Sequence, residues 1–286
     1  MAKIAVEKGG VSTRPTARLL AKGDGWSVSE VVCTLGPRDR PFEERHGCPS
    51  IAMVVAGTFQ YRSRSGRELM TPGSLMLGST NQCFECGHEH ETGDRCVSFS
   101  YTQEFFERLA ADSGSDAAGS GFKMLRLPPV RGLSPLIAQA SAALSGSGDA
   151  PWEELTIQLA AKAVQLDRGL SGGPASAEPG ALARVTRVLR MVERHPGGSH
   201  TLRDLAREAR LSPYHFLRTF QRLTGVTPHQ YLLRARLRTA ATRLITGRVK
   251  ILDLALDSGF GDISNFNRTF RAEFGVSPRA YRAQAR

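Results

Sequence analysis

Apolar positions along the 286-residue chain change their period partway. Up to about residue 110 they fall in short β-rich runs. These are WSVSEVVCTL from Trp26, SIAMVVAGTFQYRSRSGRELMTPGSLMLG from Ser50, and the alternating RCVSFSY from Arg95. A two-residue period buries one face of a strand, and glycine and proline mark the turns, as at Arg64, Ser65, Gly66 and again at Thr71, Pro72, Gly73. Many short strands with close turns predict a small barrel or a double-sheet jelly roll. After Pro128 the spacing lengthens to three and four residues. Residues 133–144 and 152–170 read as helices, the second with an apolar stripe on Trp152, Leu155, Leu159, Ala163 and Leu166. That stripe could meet its twin in a dimer or pack onto the strands of its own chain. Breaks rich in Gly and Ser lie at 111–121, 145–151 and 171–180. The last serves as the domain boundary, giving a first domain over 1–170, a linker over 171–180 and a second domain over 181–286.

The C-terminal third repeats itself. LAREARLSPYHFLRTFQRLTGVTPHQYL begins at Leu205 and LALDSGFGDISNFNRTFRAEFGVSPRAYR at Leu254. Residues 216–231 align with a second copy at a constant offset of 50, eight of sixteen positions being identical, whereas Leu205 and Ala206 match Leu254 and Ala255 at an offset of 49. A turn one residue longer between two otherwise matching helices fits two copies of one structural unit. Each copy predicts two short helices around a tight turn.

In the first copy Thr201 caps a helix, with Asp204 three residues on, and Leu202, Leu205, Ala206 and Ala209 form its stripe. Ser212 and Pro213 then start a second helix that buries Phe216, Phe220 and Leu223. At ~100° per residue, Tyr214, Leu217, Arg218 and Gln221 spread over its opposite face. The second copy buries Phe266, Phe270 and Phe274 and presents Ser264, Asn267, Arg268 and Arg271. Its turn holds Gly259, suited to positive φ, and Asp262 can cap the following helix, whereas Val249 and Lys250 open the preceding helix without a good cap. Between the copies, residues 229–245 form a continuous helical pattern ended by Gly247, a linker helix able to fix the spacing of the two units.

Charge gives this repeat a partner. Residues 181–286 carry 20 Lys and Arg against 7 Asp and Glu, a net of +13, and Lys250 is the only lysine among them; the rest of the chain nets −2. Polyanion binding explains such an imbalance better than a merely solvated surface. Arginine can grip guanine O6 and N7, asparagine can pair with adenine, and Leu217 or the Tyr214 ring can meet a thymine methyl. Two units set about one helical turn (~34 Å) apart would let one chain read an asymmetric duplex site. No apolar run approaches the ~20 residues that span a bilayer. The opening MAKIAVEKGG lacks the apolar stretch of a secretory signal, so a cytoplasmic, membrane-free protein is expected.

These residues resemble the DNA-binding domain of the AraC/XylS family of bacterial transcription regulators. The signature ALDSGFGDISNFNRTFRAEFGVSPRAYR carries the likeness through Gly259, Phe260, Asp262, Phe266, Arg268, Phe270, Phe274, Gly275, Pro278 and Tyr281, and the likeness covers about 181–286. It implies two helix-turn-helix units on a linker helix and binding to double-stranded promoter DNA; RNA polymerase is the expected further partner, and whether the chain is an activator or a repressor stays open. The family's base-reading positions fall on Tyr214, Leu217 and Arg218 in the first unit and on Ser264, Asn265, Asn267 and Arg268 in the second. Pro72, Gly73, Ser74 and the strand pattern resemble the family's cupin-like sensor domains more loosely, implying an effector without identifying it. The expected fold is therefore α+β: an N-terminal cupin-like β-barrel with flanking helices, followed by an all-α domain of two helix-turn-helix units joined by a linker helix.

One segment stands apart. NQCFECGHEHETGDRC holds Cys83 and Cys86 as C-x2-C, His88 and His90 as H-x-H, and Cys96, with His46 and Cys48 upstream. Thiolates two residues apart can share a tetrahedral Zn²⁺ or another transition metal, which His or a further Cys would complete. Low-pKa thiols beside Arg95 could instead sense oxidants or electrophiles, or the cysteines could be small buried hydrophobes. The expected function is a sequence-specific transcription regulator, not an enzyme, whose N-terminal domain senses a small molecule, a metal or a redox signal. The contrasting reading is a cupin-type metal-dependent enzyme with an accessory nucleic-acid-binding domain. Against that reading, no Ser-His-Asp arrangement and no phosphate loop appear in the sequence.

Overall fold

Strand alternation and helical stripes sort the chain into two units in the computed structural model, which describes residues 15–88, 93–113, 121–145, 150–169 and 180–284. One unit is built from residues up to 128 together with 151–183, the other from 129–150 together with 184–286.

The first unit is strand-rich. Its strands are β1 (Thr16–Gly23), β2 (Trp26–Cys33), β3 (Glu43–Arg45), β4 (Ser50–Gly57), β5 (Phe59–Ser63), β6 (Gly66–Met70), β7 (Leu75–Gly78), β8 (Cys83–Gly87), β9 (Asp94–Tyr101) and β10 (Arg126–Leu127). They form a six-stranded sheet ordered β1-β2-β9-β4-β7-β10 and a four-stranded sheet ordered β3-β8-β5-β6, with every pairing antiparallel. In β4 Ile51, Ala52, Met53 and Val54 are all buried, so this central strand is covered on both faces. Ala52, Val54 and Cys96 on one side meet Phe59, Tyr61, Met70 and Phe84 of the smaller sheet.

Helices cover the other side of the large sheet: α1 (Gln103–Asp112) and, after the later helix α2 (Ser134–Ser145) has left the unit, α3 (Trp152–Gly169). The Tyr101 hydroxyl donates to the Thr156 carbonyl at 3.1 Å, and the Lys123 and Met124 backbone N–H groups donate to the Asp167 carboxylate. Leu155, Leu159 and Ala163 of the α3 stripe are buried here, so the helix packs onto its own unit. The jelly-roll alternative describes the strands better than a closed barrel. No ladder joins the two sheets among the described residues, and β10, of two residues, and β3, of three, each end one sheet.

The second unit is helical among its described residues. After α2 come α4 (Ala181–Arg194), α5 (Leu202–Glu208), α6 (Pro213–Thr224), α7 (Pro228–Thr246), α8 (Ile251–Asp257), α9 (Ile263–Phe274) and α10 (Pro278–Gln284). Pro228 at its first position and a Thr227–Gln230 capping box launch α7, the linker helix. Ala138 of α2 is fully buried in the same core as Leu237, Ala240, Leu254, Phe266 and Phe270. The Ser134 hydroxyl and the Arg234 guanidinium both donate to Glu273 Oε1. No helix among the described residues is long and apolar enough to cross a membrane.

Candidate nucleic-acid interface

The two helix pairs are built by the same local devices. In α5 the Thr201 hydroxyl accepts from the Asp204 N–H while the Asp204 carboxylate accepts from the Thr201 N–H. The Thr201 hydroxyl, then the Thr201 N–H, donate to the Asp204 carboxylate and hold that carboxyl below the usual range. The turn closes with Leu211 N–H donating to Ala206 O at 3.0 Å, and the second copy repeats that bond from Phe260 to Ala255 at 3.1 Å. Ser212 caps α6 and Asp262 caps α9, each side chain accepting from the N–H three residues on, and Gly225 and Gly275 end the two helices in left-handed backbone. The start of α8 departs from this pattern, since Lys250 makes no side-chain cap bond.

Capping and periodicity aim the two faces. Phe216, Phe220 and Leu223 point inward from α6, as do Phe266, Phe270 and Phe274 from α9. On the outer face of α6, Tyr214 is 63% exposed and Leu217 36%, with Arg218 and Gln221 also exposed. The Arg218 guanidinium lies over the Tyr214 ring at 5.8 Å, which limits the conformations the arginine must lose on binding. On α9, Ser264, Asn267, Arg268 and Arg271 are exposed. Asn265 is half-buried, and its carbonyl accepts from Arg268 and from the Thr269 hydroxyl, both at 3.3 Å. In this arrangement it orients Arg268 on its own helix.

A concavity of 790 Å³ runs beside α9 and is lined by Asn267, Arg268, Arg271 and Arg279. Arg279 escaped the sequence reading, although it is the counterpart of His229 at the repeat offset of 50.

Not all of the basic surplus faces outward. Arg236 donates to the carbonyls of Pro196 and Gly198, Arg282 to that of Val249, and Arg238 to Glu193. Tyr231 shares the Glu193 carboxylate, and burial together with that charge pushes its hydroxyl well up. These arginines brace α7 and its neighbours, so the positive charge available to a polyanion is smaller than the count.

In the first unit a cavity of 170 Å³ opens between the two sheets, with Cys33, Glu44, His46, Cys86, Asp94 and Cys96 among its lining residues. His46 stacks on Phe84 at 4.1 Å, and its two ring nitrogens bond the Tyr61 hydroxyl and the Ser50 hydroxyl, which occupies both. Burial lowers its pKa to about 4, keeping the ring neutral. Burial, then the neighbouring Asp94 charge, holds Glu44 above the usual carboxylate range.

The proposed C-x2-C pair does not converge. Cys83 and Cys86 stand three residues apart on one strand, β8, and an odd spacing sends two side chains to opposite faces. Cys86, His88 and Cys96 stay on the inner side, whereas Cys83 pairs across the ladder with Arg45. His90 lies outside the described residues. Burial, then nearby carboxylates, pushes the Cys86 and Cys96 thiols up, which opposes thiolate sensing at these two positions. The inner side chains meet two residues that the sequence reading had not singled out, Cys33 and Asp94.

Residues 205–284 match a family model described as a helix-turn-helix domain. The chain is 38% identical over 104 residues to the transcriptional activator NphR of a Rhodococcus species, covering 35% of this chain and 30% of that protein. It is 35% identical over 100 residues to the HTH-type transcriptional activator RhaS of Klebsiella pneumoniae, covering 35% and 36%. In both, the match spans about a third of the relative's length. The TetD protein of transposon Tn10 from Escherichia coli is 36% identical over 95 residues, covering 33% of this chain and 69% of its own. With two copies of one capped helix-turn-helix, joined by a linker helix and matched along this length to such proteins, the chain belongs to the AraC/XylS family of transcription regulators.

Proposed function

We propose that the chain is a one-component transcription regulator that binds double-stranded promoter DNA through α6 and α9. One observation carries the reading: two recognition helices of the same construction, in one unit, present different exposed side chains, Tyr214, Leu217, Arg218 and Gln221 on one and Ser264, Asn267, Arg268 and Arg271 on the other. A single chain then reads two unlike half-sites in successive major grooves, and the site has a direction. Arg279 and Arg271, which line the concavity beside α9, would meet phosphate beside the second half-site. The first unit acts as a cupin-like sensor, with the cavity between its sheets admitting a small effector. RNA polymerase is the further partner, in keeping with the relatives described as activators.

The test is footprinting and affinity measurement on upstream DNA with Arg218→Ala and Arg268→Ala. Each should lose about 1–3 kcal/mol and relax preference within one half of the site only. Equal weakening on every sequence, with a reduced salt slope, would assign both residues to phosphate and refute base reading.

A further inference from the structure

The inner ends of three strands come together at one edge of the cavity in the first unit. Cys33, the last residue of β2, is the direct cross-strand partner of Asp94, the first of β9, so their side chains share a face. Cys96 follows Asp94 at a spacing of two and lies on that face too, its Sγ donating to Asp94 Oδ1 at 3.3 Å. From the other sheet, His88 follows β8 at a spacing of two from Cys86, and its Nε2 bonds Asp94 Oδ2 at 2.6 Å. One ligand atom each from Cys33, His88 and Asp94 lies within 4.8 Å of the other two. Gly93, with φ 76°, donates its N–H to Leu35 O at 2.8 Å and holds the chain that delivers Asp94.

We propose that Cys33, His88 and Asp94 form a binding site for a divalent transition metal of the Zn²⁺ class, with Cys96 as the adjacent fourth donor. Zn–S and Zn–N bonds of about 2.3 and 2.0 Å at tetrahedral angles set ligand atoms about 3.5 Å apart, within reach of this trio by small side-chain shifts. A thiol, an imidazole and a carboxylate together suit zinc and its neighbours, whereas the oxygen sets of calcium and magnesium contain no thiolate.

His88 is 5% exposed, with Asp94 on its Nε2 and Cys33 as the second side chain acting on its ring, so the imidazole lies among the other two donors. Metal binding would release the Cys33 thiol proton, and with Cys96 as fourth donor its thiol proton too, to solvent, and tie β2 and β9 of one sheet to the end of β8 in the other. This proposal needs nothing from the DNA-binding reading.

The test is metal titration of the reduced, chelator-treated full-length protein with Zn²⁺ and with Co²⁺ as its spectroscopic stand-in. Wild type should take up about one equivalent and show a thiolate-to-cobalt charge-transfer band. Cys33→Ser and His88→Asn should each weaken binding at least about tenfold, and Cys33→Ser should diminish the band. Cys83→Ser, on the opposite face of β8, should match wild type. Circular dichroism establishes that each variant is folded, and the wild-type spectrum tests the site even where a variant is not. A wild-type protein that binds no metal, a cobalt complex without a thiolate band, or equal binding by folded Cys33→Ser and wild type would each overturn the proposal.

Discussion

Corresponding positions in the two helix-turn-helix turns carry Arg210 and Gly259, both in left-handed backbone with φ 53° and 79°. A side chain in that conformation costs roughly 1–2 kcal/mol, while a glycine gives back about 0.5–1 kcal/mol through the entropy of the unfolded chain. The surroundings of Gly259 add to the cost. A Cβ there would stand 2.5 Å from the Gly197 carbonyl oxygen and 3.0 Å from the Arg236 guanidinium carbon. Neither neighbour yields easily, because one is backbone and the other is held by the Pro196 and Gly198 carbonyls at 2.9 and 2.8 Å. Gly259→Ala should therefore destabilise the α8–α9 pair by about 2–3 kcal/mol. Arg210→Gly, the reciprocal change, should leave α5–α6 unchanged or stabilise it by up to about 1 kcal/mol. Hydrogen exchange read by mass spectrometry on the full-length protein reports the two pairs separately. A loss of 2–3 kcal/mol appears as exchange faster by roughly 30- to 150-fold in α9 amides. Unchanged α9 exchange in Gly259→Ala, or damage from Arg210→Gly equal to that from Gly259→Ala, would refute the argument from turn geometry.

Two further expectations concern the cores. His46 is held neutral in the fold, with its pKa lowered by burial to about 4, whereas the unfolded chain protonates it near 6.5. Between those values the unfolded state binds more protons, so stability present above pH 6.5 is lost as pH falls towards 4, by an amount on the order of 3 kcal/mol. Urea unfolding of the first unit against pH should show this slope, and His46→Gln should flatten it; an unaltered slope would remove His46 as its source. Ala138→Glu would place a carboxylate in the core that α2 shares with α7 and α9, and exchange protection of α7 and α9 should fall by at least about 3 kcal/mol. A fragment starting at residue 181 lacks α2 and should show the same loss of protection, whereas protection equal to that of the full chain would mean that α2 is dispensable to this fold.

What was legible in the sequence was what is local. Thr201 with Asp204, Ser212 with Pro213, and Asp262 are cap signals read within one helical turn, and the phenylalanines at i and i+4 name the buried face without any knowledge of what covers it. Direction was legible only where a stripe defined it. The arginines of α7 were counted as basic charge, yet Arg236 and Arg238 turn inward because carbonyls and Glu193 from distant segments wait there, and no periodicity announces those partners.

The cysteine segment departs from expectation through its conformation rather than its composition. C-x2-C brings two thiols together when the backbone curls around an ion, but on an extended strand a spacing of three divides them between faces, and only even spacings converge. Cys86 with His88, and Asp94 with Cys96, keep such spacings, and the partner they needed was Cys33, which register rather than sequence proximity sets opposite Asp94. Reading RCVSFSY as an alternating strand and extending that alternation back to Asp94 would have placed Asp94 and Cys96 on one face. Strand pairing was the missing step, since Cys33 joins them only once β2 lies beside β9 in this register.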